Sequence, residues 1–252
     1  MDAGVGPMNY VGDLLDKKFT TKEMKYNGSI GISYHFKPHF RGNFYLMAGK
    51  IGASDAKNAV KWHYRNLSFE TALFEGALTF EYDLKDITQP ENSFADQNPD
   101  KFTPYIFAGL GVFHYNPYTY DLSGKKVFLQ PLGTEAQTTP YSLLQVAIPY
   151  GIGVRYALNN TMLVSAEFNY RKLFTDYLDD VSQHQFPDTV ALLASHGQEA
   201  ASLSYRADEI PNNPYQFYGY RGNPDKKDGF YSIIIKFSYQ LFTHKPKFYY
   251  GY

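Results

Sequence analysis

The sequence predicts an all-β chain: an eight-stranded antiparallel transmembrane β-barrel with long extracellular loops and periplasmic termini. Three observations lead there. Eight segments alternate with a period of two residues. The composition is 18% aromatic, with 24 Tyr and 20 Phe beside 20 Gly, which suits surfaces half apolar and half wet, such as the headgroup girdles of a membrane barrel. The connections also alternate between long and short.

The hairpin 145–173 carries the pattern most plainly. Val146, Ile148, Tyr150, Ile152, Val154 and Tyr156 share one face, opposite Gln145, Ala147, Gly151, Gly153 and Arg155. After the polar turn at Leu158, Asn159 and Asn160, residues Met162, Val164, Ala166, Phe168 and Tyr170 oppose Ser165, Glu167, Asn169 and Arg171. A narrow barrel would point the glycines and paired charges into its lumen and the apolar face at lipid.

Taken in order, 1–11 reads as a glycine-rich first strand, ended by Gly12 and Asp13 before a polar loop. The second strand, 26–36, sets Ile30, Ile32 and Tyr34 against Asn27, Ser29, Gly31 and Ser33, and Pro38 turns the chain. The third, 41–49, faces Phe44, Leu46 and Ala48 outward. Segment 67–82 changes parity in its apolar set, which predicts a bulge near Leu73 and Phe74. Strand 102–115 faces Ile106, Ala108, Leu110 and Val112 outward. Connections 116–144 and 174–228 are long, the latter with a short helix predicted over 190–196 and an aromatic run over 215–220. Strand 229–241 closes the set. The barrel thus spans 1–241 and leaves a basic and aromatic tail, 242–252. The three connections on the tail's side fall at 37–40, 83–101 and 158–161, two of them very short, which puts both termini in the periplasm. A lipocalin-like soluble barrel would carry charge on its outer faces, where this chain has Ile, Val, Phe and Tyr.

Composition narrows the function. A net charge of -1 gives no reason to expect a nucleic acid or other polyanion as partner. The absence of Cys removes disulfide and thiolate chemistry. No apolar run reaches the ~18–20 residues of a spanning helix, whereas a barrel strand crosses with ~9–11. The opening residues lead directly into strand-like sequence, so an exported mature chain is expected, its signal peptide removed.

The inward set holds Glu75, Glu81 and Glu167 with Arg155, Arg171 and Lys236. Buried charges require partners, so these six are expected to pair across a filled lumen rather than line an ion path. Glu75 and Glu167 as paired carboxylates would lack a substrate cleft. Ser195 and His196, being adjacent, are not expected to meet as a nucleophile and base, and no nucleophile elbow surrounds them. The seven His show no ligand spacing, and no glycine-rich loop opens a helix to cradle phosphate. The expectation is a non-enzymatic chain without metal or cofactor. Binding remains. The tail presents Lys245, Lys247, Phe248, Tyr249, Tyr250 and Tyr252, which read either as a membrane anchor or as a docking peptide for a periplasmic partner.

The stretch 4–14, with a core of Asn9, Tyr10, Gly12, Asp13 and Leu14, resembles the family of eight-stranded outer-membrane barrels of Bacteroidota that includes the type IX secretion component PorG. The resemblance in strand order covers nearly the whole chain. It implies a non-enzymatic barrel in outer-membrane lipid that contacts periplasmic ring and lipoprotein subunits and anchors secretion and gliding machinery. Asn9 and Asp13 read more plainly as turn and strand-end residues. Loop 174–228 offers surface for an extracellular partner, and two other classes stay open: a small channel or transporter, and a surface-binding adhesin.

Overall fold

A computed structural model describes residues 1–37, 39–84, 102–159 and 161–241. The chain forms β1 (Asp2–Val11), β2 (Lys25–Lys37), β3 (Phe40–Ser54), β4 (Ser68–Asp83), β5 (Phe102–Tyr115), the small hairpin β6 (Tyr118–Tyr120) and β7 (Lys126–Phe128), β8 (Leu144–Ala157), β9 (Met162–Leu173), helix α1 (Thr189–Ser204) and β10 (Gly229–Tyr239). Every barrel strand pairs antiparallel with the next, and β1 pairs with β10, so eight strands close while β6 and β7 stand outside the ring. The tail 242–252, with its six predicted docking residues, lies outside the described residues, as does most of connection 83–101.

Closure makes the two-residue period visible as inside and outside. On β4, Phe69, Thr71, Leu73, Glu75, Ala77, Thr79, Glu81 and Asp83 are buried, whereas Phe74, Leu78, Phe80 and Tyr82 are exposed. Side chains such as Ile30, Ile32, Leu46, Leu110, Val112, Ile152, Ile235 and Phe237 continue this exposed apolar band around the wall. Water-facing proteins rarely expose a large contiguous apolar surface of this kind, and hydrocarbon is the solvent that suits it.

The bulge expected near Leu73 and Phe74 is absent. The register from Phe40 opposite Tyr82 to Ser54 opposite Ser68 runs without a shift. Parity never changes; the environment does. β3 and β4, of 15 and 16 residues, exceed the ~9–11 that a crossing needs, and their upper ends rise into the long-loop end. There the inner face is apolar and covered. For the same reason β3 continues to Ser54, past the expected strand end at Gly49, since Ile51 and Ala53 are buried. The helix is longer than 190–196, running 189–204 from an Asp188 cap whose carboxylate accepts from Ala191 N, and it bends at Gly197, where φ is 86°.

The interior has two layers. Toward the long loops, Met8, Ile51, Phe69, Leu73, Phe113, Tyr115 and Phe230 pack with Leu14, Leu178 and Val181 from the loops. Lower down, the inside is charged. The charged half encloses a space of about 30 Å³, room for a water molecule or two.

If lipid solvates the outer band, Leu110→Arg costs about 2–4 kcal/mol, as a mid-wall charge does in a bilayer. In a water-facing wall this change of an exposed residue, 66% accessible and paired across strands with Leu78, would be close to neutral. Urea titration of refolding into lipid vesicles measures the difference.

Candidate functional site

The sequence-predicted charges all point inward and fall into two groups. Glu75 and Arg171 form one: Arg171 donates from Nε and Nη2 to Glu75 Oε2 at 3.2 and 3.1 Å and from Nη1 to Ser232 Oγ at 2.6 Å, and Tyr45 donates to the same carboxylate oxygen at 3.3 Å. The second lies nearer the short turns. Arg155 bonds Glu81 and, at 2.8 Å, Asp83 Oδ1. Lys236 bonds Glu167, which also accepts from Tyr105 Oη at 2.6 Å. Arg41 lies 3.7 Å from Glu81 and 3.5 Å from Asp83.

Arg41 and Asp83 are additions to the expected set. Both share the inward parity of their strands but sit at strand ends, where the alternation was not followed. With them four acids (Glu75, Glu81, Asp83, Glu167) and four bases (Arg41, Arg155, Arg171, Lys236) are ion-paired in the lumen, and a fifth acid, Asp2, lines the same space and accepts from Ser33 Oγ. Glu75 and Glu167 occupy different ion pairs. Charges taken from water cost several kcal/mol each unless paired, and the ion-paired set of four and four answers that cost.

The other constellation is a cap that ties the four long connections together, and sequence reading missed it. Arg65 forks onto Asp55 at 3.1 and 2.6 Å, donates to Asp13 O at 3.0 Å and also bonds Arg221 O. Arg221 donates to Glu135 Oε1 at 2.9 Å and to Thr134 Oγ1 and Asp180 O at 3.1 Å. Both guanidinium groups are about 1% exposed. Arg206 adds a third tie, reaching Thr119 Oγ1 at 2.9 Å and Tyr120 O at 3.0 Å on the small hairpin.

The motif residues belong to this cap. Asn9 Nδ2 donates to Thr20 O and Lys22 O at 2.7 and 2.9 Å, folding the first loop back on the wall. Tyr10 is buried, its hydroxyl bonded to Asp179 and, at 3.2 Å, to Asp228. A side chain on Gly12 would collide with that hydroxyl and with Asp228. Asp13 accepts from Asn223 N at 2.7 Å, and Leu14 is buried in the upper core.

Burial raises the Asp13 carboxyl to about pKa 6, aided by Asp176 and opposed by the Asn223 hydrogen bond and Arg65. Asp180 is likewise raised to about 6 by burial, against Arg221, Thr134 and Tyr141. Burial, with repulsion from Asp13 at Asp179 and from Asp179 at Asp228, pushes both carboxyls well above the usual carboxylate range. Ser195 Oγ and His196 Nδ1 do meet, at 2.8 Å, contrary to expectation. Ser195 Oγ also bonds Ala191 O of its own helix at 2.7 Å, and among the described residues no carboxylate contacts the imidazole, whose Nε2 lies 3.2 Å from Gln137 O. Among the described residues no group of three or more His, Cys, Asp or Glu is arranged to hold a metal ion.

A family model described as a domain of unknown function, DUF6089, matches residues 2–188. No curated protein matches the sequence. Among solved structures, the chain is similar to the attachment invasion locus protein Ail of Yersinia pestis in complex with the heparin analogue sucrose octasulfate, at 9% identity over 94% of each chain and a TM-score of 0.41. It is similar to Neisserial surface protein A at 13% identity over 94% of this chain and 95% of that one, TM-score 0.43. The outer membrane protein OprG from Pseudomonas aeruginosa matches at 10% identity over 94% and 91%, TM-score 0.36.

Two predictions follow from the geometry. Arg171→Met strands the buried Glu75 and is expected to cost about 3–5 kcal/mol in detergent unfolding, most of it recovered in the double variant with Glu75→Met. For the cap, a carboxyl whose folded pKa lies above its unfolded value holds its proton more tightly when folded. The contribution of Asp13 and Asp180 is therefore full below their ordinary 3.8 and lost as pH rises through about 6. Amide exchange over 176–182, corrected for intrinsic rates, should be slower at about pH 4.5 than at about pH 7.5, and Asp13→Asn with Asp180→Asn should flatten that difference.

Proposed function

The chain belongs to the DUF6089 family, and we propose that this member is a non-enzymatic outer-membrane barrel that acts as a scaffold. Its long-loop end faces outward and its short turns face the periplasm. The observation that carries the reading is the filled interior: eight of the inward charges form ion pairs with one another, loop side chains pack the upper half, and a space among the charged side chains measures about 30 Å³. Such an interior holds its own shape and leaves the surfaces to do the work. Planar-bilayer recordings should accordingly show no steady conductance, and sustained single-channel currents would replace the scaffold by a pore.

The finer reading assigns the scaffold to type IX secretion and gliding machinery, through periplasmic ring and lipoprotein subunits. It rests on the resemblance carried by Asn9, Tyr10, Gly12, Asp13 and Leu14 and on the docking character of Lys245 to Tyr252. A second reading, contact with an extracellular partner, is favoured by Phe217, Tyr218 and Tyr220, which stand exposed on the 174–228 connection.

A gentle-detergent pull-down through a tag in a long loop, read by mass spectrometry, separates these. Recovery of periplasmic ring and lipoprotein subunits, lost on deleting 245–252 from a barrel that still folds, is the expected result. Recovery of the barrel alone, where known membrane complexes survive, contradicts it and moves the weight to the loop cap.

A further inference from the structure

The wall carries a depression of about 750 Å³ on β1 to β4, extending to β10. Its position follows from register. Gly28 and Ala48 are cross-strand partners, flanked by Val5, opposite Gly28, and by Phe74, opposite Ala48. Ile30 and Leu46, also partners, lie one outward position below. Two small residues side by side among larger ones make a notch in the apolar band. The space over Gly28 is open: an added Cβ meets only Gly4 O, at 3.8 Å.

Directly above the notch the outer face becomes basic. Lys50, the next outward residue of β3 after Ala48, bonds Glu70 at 2.6 Å, and Lys25 reaches the same carboxylate at 2.8 Å. Lys50 and Lys126 both lie over the Tyr118 ring, 5.5 and 3.7 Å from its centre, and the Tyr118 hydroxyl donates to Glu70 at 2.9 Å. Two ammonium groups hold the Glu70 carboxylate and a third, Lys126, lies over the Tyr118 ring whose hydroxyl bonds that carboxylate, so this cluster of three lysines and one glutamate carries a surplus of positive charge at the upper rim of the apolar band. Along a strand, one outward step is about 7 Å, so an acyl chain in the notch would leave its headgroup beside these lysines.

We propose that this notch and its lysine rim form a site for one phosphorylated lipid of the outer leaflet, lipid A, with a phosphate at Lys50 and Lys126 and an acyl chain over Gly28 and Ala48. The site rests on the outer-membrane reading, since the long-loop end must meet the outer leaflet. Charge complementarity selects the occupant, because a rim with surplus positive charge favours the uncompensated phosphates of lipid A over a zwitterionic headgroup, whose own ammonium neutralises its phosphate.

The test incorporates the full chain into phosphatidylcholine nanodiscs doped with lipid A and measures retained lipid by native mass spectrometry. The native chain is expected to hold one lipid A, with occupancy falling on the order of tenfold for Lys50→Gln with Lys126→Gln. Gly28→Leu, which fills the notch where there is room for a side chain, should reduce it comparably, and dephosphorylated lipid A should bind as weakly as the lysine variant does lipid A. Heat-modified gel migration confirms folding of each variant. Equal retention by all forms, or retention of phosphatidylglycerol equal to that of lipid A, overturns the site. A native chain that enters nanodiscs but keeps no lipid A overturns this inference alone, whereas a chain that fails to enter them overturns the membrane reading as well.

Discussion

Closure of β1 onto β10 is the constraint on which the rest of the molecule depends. Once eight strands form a ring, each side chain is committed to the lumen or to the outside, and a one-residue slip would exchange the two sets. A ring of eight strands is just wide enough for side chains to fill it, so whatever points inward is largely desolvated. A charge there requires an opposite charge. The balanced set of Arg41, Arg155, Arg171 and Lys236 with Glu75, Glu81, Asp83 and Glu167 answers that requirement, and the apolar outer faces answer the matching one from a hydrocarbon solvent.

The same ring creates a problem at its upper mouth. Four long connections leave from there, and polar loops lying over an apolar core would bury unsatisfied backbone groups. Arg65 and Arg221 solve this by donating to backbone carbonyls at Asp13, Arg221 and Asp180 as well as to the carboxylates of Asp55 and Glu135. A guanidinium has five donors in a fixed fork, so one side chain can satisfy several loops at once. The cap is therefore continuous with the barrel, and the surface it shows is held in place by contacts far below it.

Strands and their parity were legible in the sequence because they are local: each depends on a two-residue repeat within about ten positions. The six inward charges emerged from the same repeat. Arg41 and Asp83 escaped because they lie at strand ends, where the apolar half of the pattern runs out. The bulge expected at Leu73 arose from treating apolar as outward throughout, an equation that fails where β4 leaves the membrane level and packs against Leu14 and Leu178. The small hairpin β6 and β7, three residues per strand, is too short to register as an alternation.

Local sequence thus determined the class of the fold and, apart from the first half of β4, the face on which the wall residues lie, since alternation is a property of neighbouring positions. Only the tertiary structure decided which charges pair, how the long connections join into a cap, and where small outward residues align into a notch beneath Lys50. These are relations between residues as distant as Asp13 and Asn223, or Arg65 and Arg221. No period along the chain encodes them, because they come into being when the ring closes and sets unrelated segments side by side.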